Sequence, residues 1–187
     1  SVARHAGKGV TLTMADGQRL SFDQVVFATH SDQALALLEE PSVLETEILS
    51  AIPYQTNDVV LHTDIRMLPR KTKTWSSWNY TLGERENRAI VTYNMNILQG
   101  IQAPETFCVT LNNTAAINPH KVIGRFEYDH PVFSLEGCAA QQRWDQINGV
   151  ASTWYCGAYW QNGFHEDGVV SALRVANGLC SKHVAAA

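Results

Sequence analysis

Apolar and polar positions near the start of the chain follow the pattern of β-strands. Residues 10–14 alternate between the two, which is typical of a half-buried strand. Asp16-Gly17 follows as a hairpin turn signal, so residues 19–22 are predicted to return as a second strand. Residues 25–28 form a continuous apolar run, which predicts a strand that is covered on both faces.

Two helices are predicted next, each with its own start signal. Ser31 is placed to cap the first helix. Ser42 and Glu45 have the spacing of a capping box, which predicts the start of the second helix, and Pro53 is predicted to end it. Because the sequence after Pro53 is rich in strand patterns, we place a domain boundary there.

The middle of the chain reads as a series of strands joined by short polar connections. Such a series predicts a mainly antiparallel sheet. The predicted strands cover residues 57–63, 74–80, 89–94, 106–111 and 122–128. Ala140, Trp144 and Ile147 then recur at helical spacing before Gly149, which predicts a helix that closes this region.

The clearest candidate site lies between residues 154 and 179. A short apolar run ends at Gly157, a turn follows up to Gly163, and Val169, Leu173, Ala176 and Leu179 recur at helical spacing. The first backbone N–H groups of such a helix lack partners within it and favour an anion or an electron-rich carbonyl. Glu166 and Asp167 would repel a free anion, so the residues leave two readings open: a capped structural helix, or a site for a polar ligand part.

The same stretch resembles a known cofactor motif. Gly163-Phe164-His165-Glu166-Asp167-Gly168, after Tyr155-Cys156-Gly157-Ala158, resembles the C-terminal flavin motif of FAD-dependent oxidoreductases of the flavin-containing amine oxidase superfamily, and more narrowly its bacterial branch of predicted NAD/FAD-binding proteins. The family often places an acidic residue after the strand's glycine to hold the ribityl chain, where this chain has Ala158. The resemblance implies an FAD site formed by Gly157, Gly163, Phe164, His165, Glu166, Asp167, Gly168, Val169 and His30.

The resemblance also implies an architecture. Residues 23–30 are similar to the segment that returns the chain to the FAD domain, where His30 and Ser31 either touch the cofactor or only end a strand and cap a helix. We therefore predict an α+β fold: a partial FAD-domain segment over residues 1–53, a substrate-domain-like antiparallel sheet with a helix over residues 54–150, and the flavin-motif strand and helix over residues 151–187.

The dinucleotide fingerprint G-x-G-x-x-G is absent from the sequence. Gly7 and Gly9 give only its first part, and Leu12 stands where the third glycine would be. In the family this fingerprint grips the FAD pyrophosphate, so we expect a missing N-terminal dinucleotide-binding half as partner. We expect the fragment alone to bind FAD weakly or not at all.

Aromatic residues of the predicted sheet are, as a group, candidates for a substrate pocket, although core packing is the commoner role for each one alone. The predicted substrate-binding residues are Trp75, Trp78, Tyr80, Tyr93 and Phe164. Many amine oxidases carry a lysine in the first strand of this sheet, and residues 57–60 contain none. The resemblance thus implies oxidation of a small or apolar substrate; a desaturase- or isomerase-like flavoenzyme and a non-catalytic binding module remain alternatives.

Composition narrows the class of protein. The 187 residues are 45% hydrophobic and 17% charged, and the net charge of -4 argues against a nucleic-acid surface. No apolar run is long enough for a membrane span, and no signal peptide is visible, so we expect a cytoplasmic protein. Four scattered cysteines without C-x-x-C spacing predict free thiols and no metal site.

Overall fold

The computed structural model describes residues 1–82 and 89–185. These residues form ten strands: β1 Val2–His5, β2 Gly9–Thr13, β3 Arg19–Phe22, β4 Val25–Phe27, β5 Tyr54–His62, β6 Trp78–Thr81, β7 Ile90–Asn94, β8 Cys108–Leu111, β9 Val122–Pro131 and β10 Thr153–Tyr155. They also form five α-helices: α1 Ser31–Leu37, α2 Val43–Ser50, α3 Met95–Gln99, α4 Leu135–Gln141 and α5 His165–Ala185. The predicted α+β fold with a mainly antiparallel sheet is confirmed.

The chain divides into two compact units. The first unit consists of Ser1–Tyr54 and Pro131–Ala187, and the second unit of Gln55–His130. The observed division at residues 130 and 131 comes earlier than the boundary that we placed at residue 150. The reason is that α4 and Trp144 belong to the apolar core of the first unit, which also contains β10.

The first unit contains two small sheets. β1, β2 and β3 form an antiparallel meander, whereas β4 pairs in parallel with β10, with Val25 opposite Thr153 and Phe27 opposite Tyr155. We predicted a strand covered on both faces, but Val26 of β4 is 42% exposed. Among the described residues this parallel sheet has two strands, and parallel sheets are normally covered on both sides.

The core of the first unit is apolar and surrounds one charged network. Fully buried residues from α2, α4, β10 and the following turns pack together, among them Ile48, Leu49 and Ile147. Within this core the carboxylate of Glu45 accepts hydrogen bonds from the Arg4 guanidinium and from the Tyr155 hydroxyl. The predicted capping box is also confirmed, because Glu45 accepts from the Ser42 backbone N–H while Ser42 Oγ accepts from the Glu45 N–H.

The second unit is a five-stranded sheet in the order β6-β7-β8-β5-β9. The first four strands are joined by antiparallel registers, in which Thr92 lies opposite Thr110 and Tyr93 opposite Val109. Since successive residues of a strand point to opposite faces, these registers define two faces. One carries Trp78, Tyr80, Tyr93, Val91, Val109, Leu111, Val59 and Leu61. The other carries Asn79, Thr92, Thr110, Val60, Asn94, Cys108 and His62.

Helix α5 forms as its apolar spacing predicts, but it buries only part of that apolar stripe. Leu179 packs against the core, whereas Leu173 and Val169, the latter also a predicted cofactor residue, are 58% and 52% exposed. The buried side chains of the helix are Asp167, Ser171 and Val175, which recur every four residues and lie two positions from Val169 and Leu173 along the chain. The cause is a close approach to β10, since a Cβ on Gly178 would lie 2.5 Å from the Trp154 ring.

Two other boundaries differ from the prediction. Ser31 is not the cap of α1, because His30 occupies that position and Ser31 is the first helical residue. The Ser31 side chain is buried, and its backbone N–H donates to the Tyr54 hydroxyl at 3.0 Å. Strand β6 begins at Trp78, later than predicted, because Thr72–Thr74 form a 3₁₀ turn.

Candidate functional site

A rigid turn connects β10 to α5. Its backbone is fixed by hydrogen bonds from the Trp160 N–H to the Gly157 carbonyl and from the Gly163 N–H to the Ala158 carbonyl, both at 3.2 Å. The Gln141 side chain adds two more, to the carbonyls of Tyr159 and Gln161 at 2.8 Å each. The turn therefore has a defined shape before any ligand binds.

Asp167 holds the start of α5. Its carboxylate accepts hydrogen bonds from the Phe164 N–H at 2.9 Å and from the Asn162 N–H at 3.2 Å, and the residue is 8% exposed. A carboxylate three residues into a helix that reaches back in this way is half of a capping box. Asp167 therefore stabilises the turn, while its neighbour Glu166 is exposed.

A cleft of about 530 Å³ opens beside this turn, within the first unit. Three of the predicted cofactor residues, His30, Gly157 and Gly163, line it together with seven other residues. The remaining lining residues are Ala28, Thr29, Gln33, Tyr54, Pro131, Ala158 and Tyr159. The structure thus brings together the end of β4 and the turn after β10, which are far apart in the sequence.

The other predicted cofactor residues lie at the start of α5, outside the cleft lining. His165 and Glu166 are exposed, and Val169 faces away from the core. Gly168 packs on the turn, since a Cβ there would lie 3.9 Å from the Ala158 nitrogen. Phe164 is 53% exposed at the N-terminal end of the helix.

Two aromatic rings form one wall of the cleft. The His30 ring stacks on the Tyr54 ring, with the centroids 4.4 Å apart and the planes 14° from parallel. The Tyr54 hydroxyl accepts the Ser31 N–H, and burial raises the pKa of Tyr54, so the phenol stays neutral. This wall is flat and aromatic.

Tyr159 is a cleft residue that the sequence analysis missed. It is 4% exposed, and its hydroxyl is buried without a hydrogen-bond partner among the described residues. Burial raises the pKa of Tyr159, and the nearby Tyr54 raises it further, so the hydroxyl keeps its proton. The only signal in the sequence was its position directly after Gly157-Ala158, the pair that carries the resemblance.

In the second unit the structure brings three of the predicted substrate residues together. Trp78, Tyr80 and Tyr93 share one face of the sheet, and the rings of Trp78 and Tyr93 meet edge to face at 5.5 Å. Trp78 and Tyr80 are 53% and 63% exposed. Trp75 lies outside the strand, where its indole N–H donates to the Pro69 carbonyl at 2.8 Å.

The opposite face of this sheet is polar and buried. The Asp64 N–H donates to His62 Nδ1 at 3.0 Å, so the ring proton is on Nε2 and is donated to Thr110 Oγ1 at 2.7 Å. Thr110 in turn shares a hydrogen bond of 2.8 Å with Thr92. Burial lowers the pKa of His62, which keeps the imidazole neutral within this chain of hydrogen bonds.

The described residues contain neither a metal-binding cluster nor a membrane-spanning helix. No group of three or more histidine, cysteine, aspartate or glutamate side chains could hold a metal ion within residues 1–82 and 89–185. Across the same ranges, no helix combines the length and apolar character needed to cross a membrane.

Comparison with known proteins gives a likeness in structure but not in sequence. No known protein family and no curated protein matches the sequence. A protoporphyrinogen oxidase-like protein from Exiguobacterium sp. 255-15 is 10% identical, with a TM-score of 0.60 over 95% of this chain and 45% of that one. A fatty acid isomerase from P. acnes that produces CLA is 16% identical, with a TM-score of 0.61 over 94% of this chain and 46% of that one.

A third structure, of reduced UDP-galactopyranose mutase, is 9% identical, with a TM-score of 0.53 over 86% of this chain and 40% of that one. All three are flavoenzymes of the amine oxidase superfamily, the group that the sequence motif resembles. At these identities the likeness establishes the fold alone. The chain spans less than half the length of each of these proteins.

Proposed function

We propose that this chain supplies the flavin-facing turn and the substrate sheet of an FAD-dependent oxidoreductase. The observation that carries the proposal is the cleft in which His30, Gly157 and Gly163 meet beside the start of α5. A motif that resembles a flavin motif thus lines a cleft large enough for part of a cofactor, in a fold shared with flavoenzymes.

The residues of the cleft fit such a cofactor. Gly163 has a φ of 87°, which other residues rarely adopt, and a Cβ there would meet only the Phe133 ring edge at 4.0 Å. A ligand can therefore approach the backbone at this point. A bound flavin supplies the electron chemistry, while the protein supplies position, electrostatics and a dry environment. The stacked rings of His30 and Tyr54 would bound that environment on one side.

The remainder of the FAD site would come from a dinucleotide-binding half, which this chain does not contain. Support comes from apolar side chains that the first unit leaves exposed on two of its elements. Val26 lies on the parallel pair β4–β10, and Val169 and Leu173 lie on α5. A two-stranded parallel sheet is normally part of a larger, covered sheet, so the missing half would extend it and cover these side chains.

The substrate would be apolar, because the aromatic face of the second unit, exposed at Trp78 and Tyr80, carries no charged side chain on the four strands β5 to β8. Trp78, Tyr80 and Tyr93 line it beside Val91 and Val109. Asn57, Asp58, Val59 and Val60 offer no lysine, so amine oxidation has less support than reaction on an apolar chain or ring. A desaturase- or isomerase-like reaction is the second candidate, and the fatty acid isomerase among the structural neighbours favours it.

The proposal is tested with the full-length protein that carries this chain. The purified protein is expected to be yellow, with a flavin absorbance that bleaches when a substrate is added without an electron acceptor. A colourless protein that takes up no added FAD would instead support the third candidate, a binding module that keeps the fold without the chemistry.

The cofactor site itself is tested by filling the cleft. Gly163→Trp is expected to abolish flavin uptake, because the side chain would project into the cleft from a backbone that disfavours it. Gly17→Trp is the matched control, since Gly17 also has a positive φ of 84° and open space but lies in the β2–β3 hairpin. Retained flavin uptake by Gly163→Trp, or equal loss in both variants, would reject the assignment.

A further inference from the structure

The turn after β10 holds a buried phenol whose hydroxyl donates a hydrogen bond to no described residue. Tyr159 is 4% exposed and borders the cleft, yet its hydroxyl lies within hydrogen-bond distance and geometry of no described partner. Leaving a buried polar group unpaired is unfavourable, and native proteins keep few such groups. A group of this kind beside a cleft indicates a partner that the protein itself does not provide.

Tyr159 is held firmly in this position. Its ring lies against Gly157, where a Cβ would come within 2.5 Å of Tyr159 Cε1, so only glycine lets the ring pack this closely. Its carbonyl is held by Gln141 at 2.8 Å. Because the ring cannot easily turn away, the hydroxyl is a preorganised donor and loses little conformational freedom when a ligand accepts its hydrogen bond.

The ligand group that fits is an oxygen acceptor. Tyr54 also lines the cleft, but its hydroxyl already accepts the Ser31 N–H. Ala158, directly before Tyr159, has no side-chain oxygen or nitrogen to offer. Burial and the proximity of Tyr54 raise the pKa of Tyr159, so this residue remains a neutral donor throughout the physiological range.

We propose that Tyr159 is a cofactor-binding residue whose hydroxyl donates a hydrogen bond to an oxygen atom of the bound FAD. This rests on the function proposed above and deepens it, because the motif that resembles the family's flavin site does not include Tyr159. The role also explains why the turn carries a tyrosine with an unpaired hydroxyl rather than a phenylalanine.

A trapped water is the competing explanation. The indole N–H of Trp160 lies beside the Tyr159 hydroxyl and lowers its pKa as a donor does, but the pair lacks normal hydrogen-bond geometry, and the two rings lie 5.2 Å apart. A buried water bridging the two would satisfy both groups and leave the cofactor without this contact. The first explanation predicts that the hydroxyl contributes to the affinity for FAD, and the second predicts that it does not.

The test compares two tyrosines of the first unit that differ in their partners. Tyr159→Phe removes an unpaired hydroxyl, so the FAD-free full-length protein is expected to keep or raise its melting temperature while its Kd for FAD rises by about tenfold. Tyr155→Phe removes a hydroxyl that donates to Glu45 at 2.7 Å, so it is expected to lower the melting temperature and leave the FAD Kd within about twofold. Both constants come from fluorescence titration with FAD.

The outcomes separate the two proposals. Wild-type protein that binds FAD, with a Tyr159→Phe variant whose Kd is unchanged and whose melting temperature falls, would overturn the role of Tyr159 and favour the trapped water. Wild-type protein that takes up no FAD would overturn the proposed function, and the role of Tyr159 with it. A selective loss of affinity in Tyr159→Phe, absent from Tyr155→Phe, supports both.

Discussion

The two units of the chain place their polar and apolar side chains in opposite ways. In the first unit the buried residues form one apolar cluster around a single charged network. In the second unit the buried residues described are mostly polar: seven polar side chains (Asn57, His62, Asp64, Asn79, Thr92, Asn94 and Thr110) against five apolar ones (Val59, Val60, Leu68, Cys108 and Ile117). At the same time, aromatic residues of the second unit are exposed.

This difference indicates what each unit does. The first unit obtains its stability from buried apolar surface, as most domains do. The second unit has a chain of hydrogen bonds on one face of its sheet, and its other face exposes aromatic rings that we propose contact a substrate. Exposed apolar surface of this kind commonly marks a binding site. Substitutions that act on one unit at a time test this difference between the two units.

The largest effect is expected in the charged network of the first unit. Glu45→Ala would leave the Arg4 guanidinium, 13% exposed, and the Tyr155 hydroxyl buried without their shared partner. Removing one member of a buried pair costs about 3–5 kcal/mol. Glu47→Ala on the same helix is the control, because its contact with Arg143 is half exposed and contributes at most about 1 kcal/mol. Chemical denaturation measures the free energy of unfolding of both variants. Equal losses in Glu45→Ala and Glu47→Ala would contradict the importance of burial for the Glu45 network.

In the second unit the corresponding substitution is Thr110→Val. It keeps the side chain's shape but leaves His62 Nε2–H and the Thr92 hydroxyl without the partner that joins them. A loss of about 1–3 kcal/mol in the free energy of unfolding is expected. Thr81→Val on the exposed end of β6 should change stability by no more than about 0.5 kcal/mol. A neutral Thr110→Val would show that the polar face is not held by this chain of hydrogen bonds.

The sequence predicted the elements of both units better than the way they are buried. Asp16-Gly17 correctly predicted the hairpin, and Ser42 with Glu45 correctly predicted the start of α2, because nearby residues determine turns and caps. The apolar stripe of α5 predicted the helix but not which face is buried, because Val169 and Leu173 are exposed although they recur as regularly as core residues do. Periodicity cannot tell a face that packs on the same chain from a face that awaits another partner.

The candidate site was predictable to a similar extent. The resemblance named Gly157 and Gly163, and the structure brings them to one cleft with His30. Tyr54 could not be found, because nothing in the sequence shows that β5 begins beside the turn after β10, and Tyr159 was signalled only by its position after Gly157-Ala158. Contacts of this kind depend on packing between distant segments, which neither spacing nor propensity encodes.

A pH dependence follows from the polar face of the second unit. Burial lowers the pKa of His62 below its ordinary value of 6.5, so the unfolded chain takes up a proton at a higher pH than the folded unit. Below about pH 6.5 the unfolded state therefore holds more protons, and the free energy of unfolding falls as the pH falls. Asp64 acts in a separate window, because Arg66 holds its pKa below 3.8 and its contribution is lost only in stronger acid.

The measurement is the free energy of unfolding between pH 7.5 and pH 5, a window chosen to bracket the ordinary histidine pKa. His62→Gln should flatten the decline, since the glutamine does not titrate, whereas His120→Gln on an exposed turn should leave it unchanged. An equally steep decline in His62→Gln would place the titrating group elsewhere.

The smallest effect on stability is expected on the aromatic face of the second unit, which is compared here with a buried position of the first unit. Trp78 is 53% exposed and meets Tyr93 edge to face, so Trp78→Ser should cost at most about 1 kcal/mol. Ile48→Ala, at a fully buried position of the first unit, should cost about 2–5 kcal/mol. Binding of an apolar fluorescent dye should respond in the opposite order, falling in Trp78→Ser and changing little in Ile48→Ala while the protein stays folded. The contrary result is that Trp78→Ser unfolds the protein and leaves dye binding of the folded fraction unchanged. The aromatic face would then be a core face, and its assignment as a substrate-binding face would be wrong.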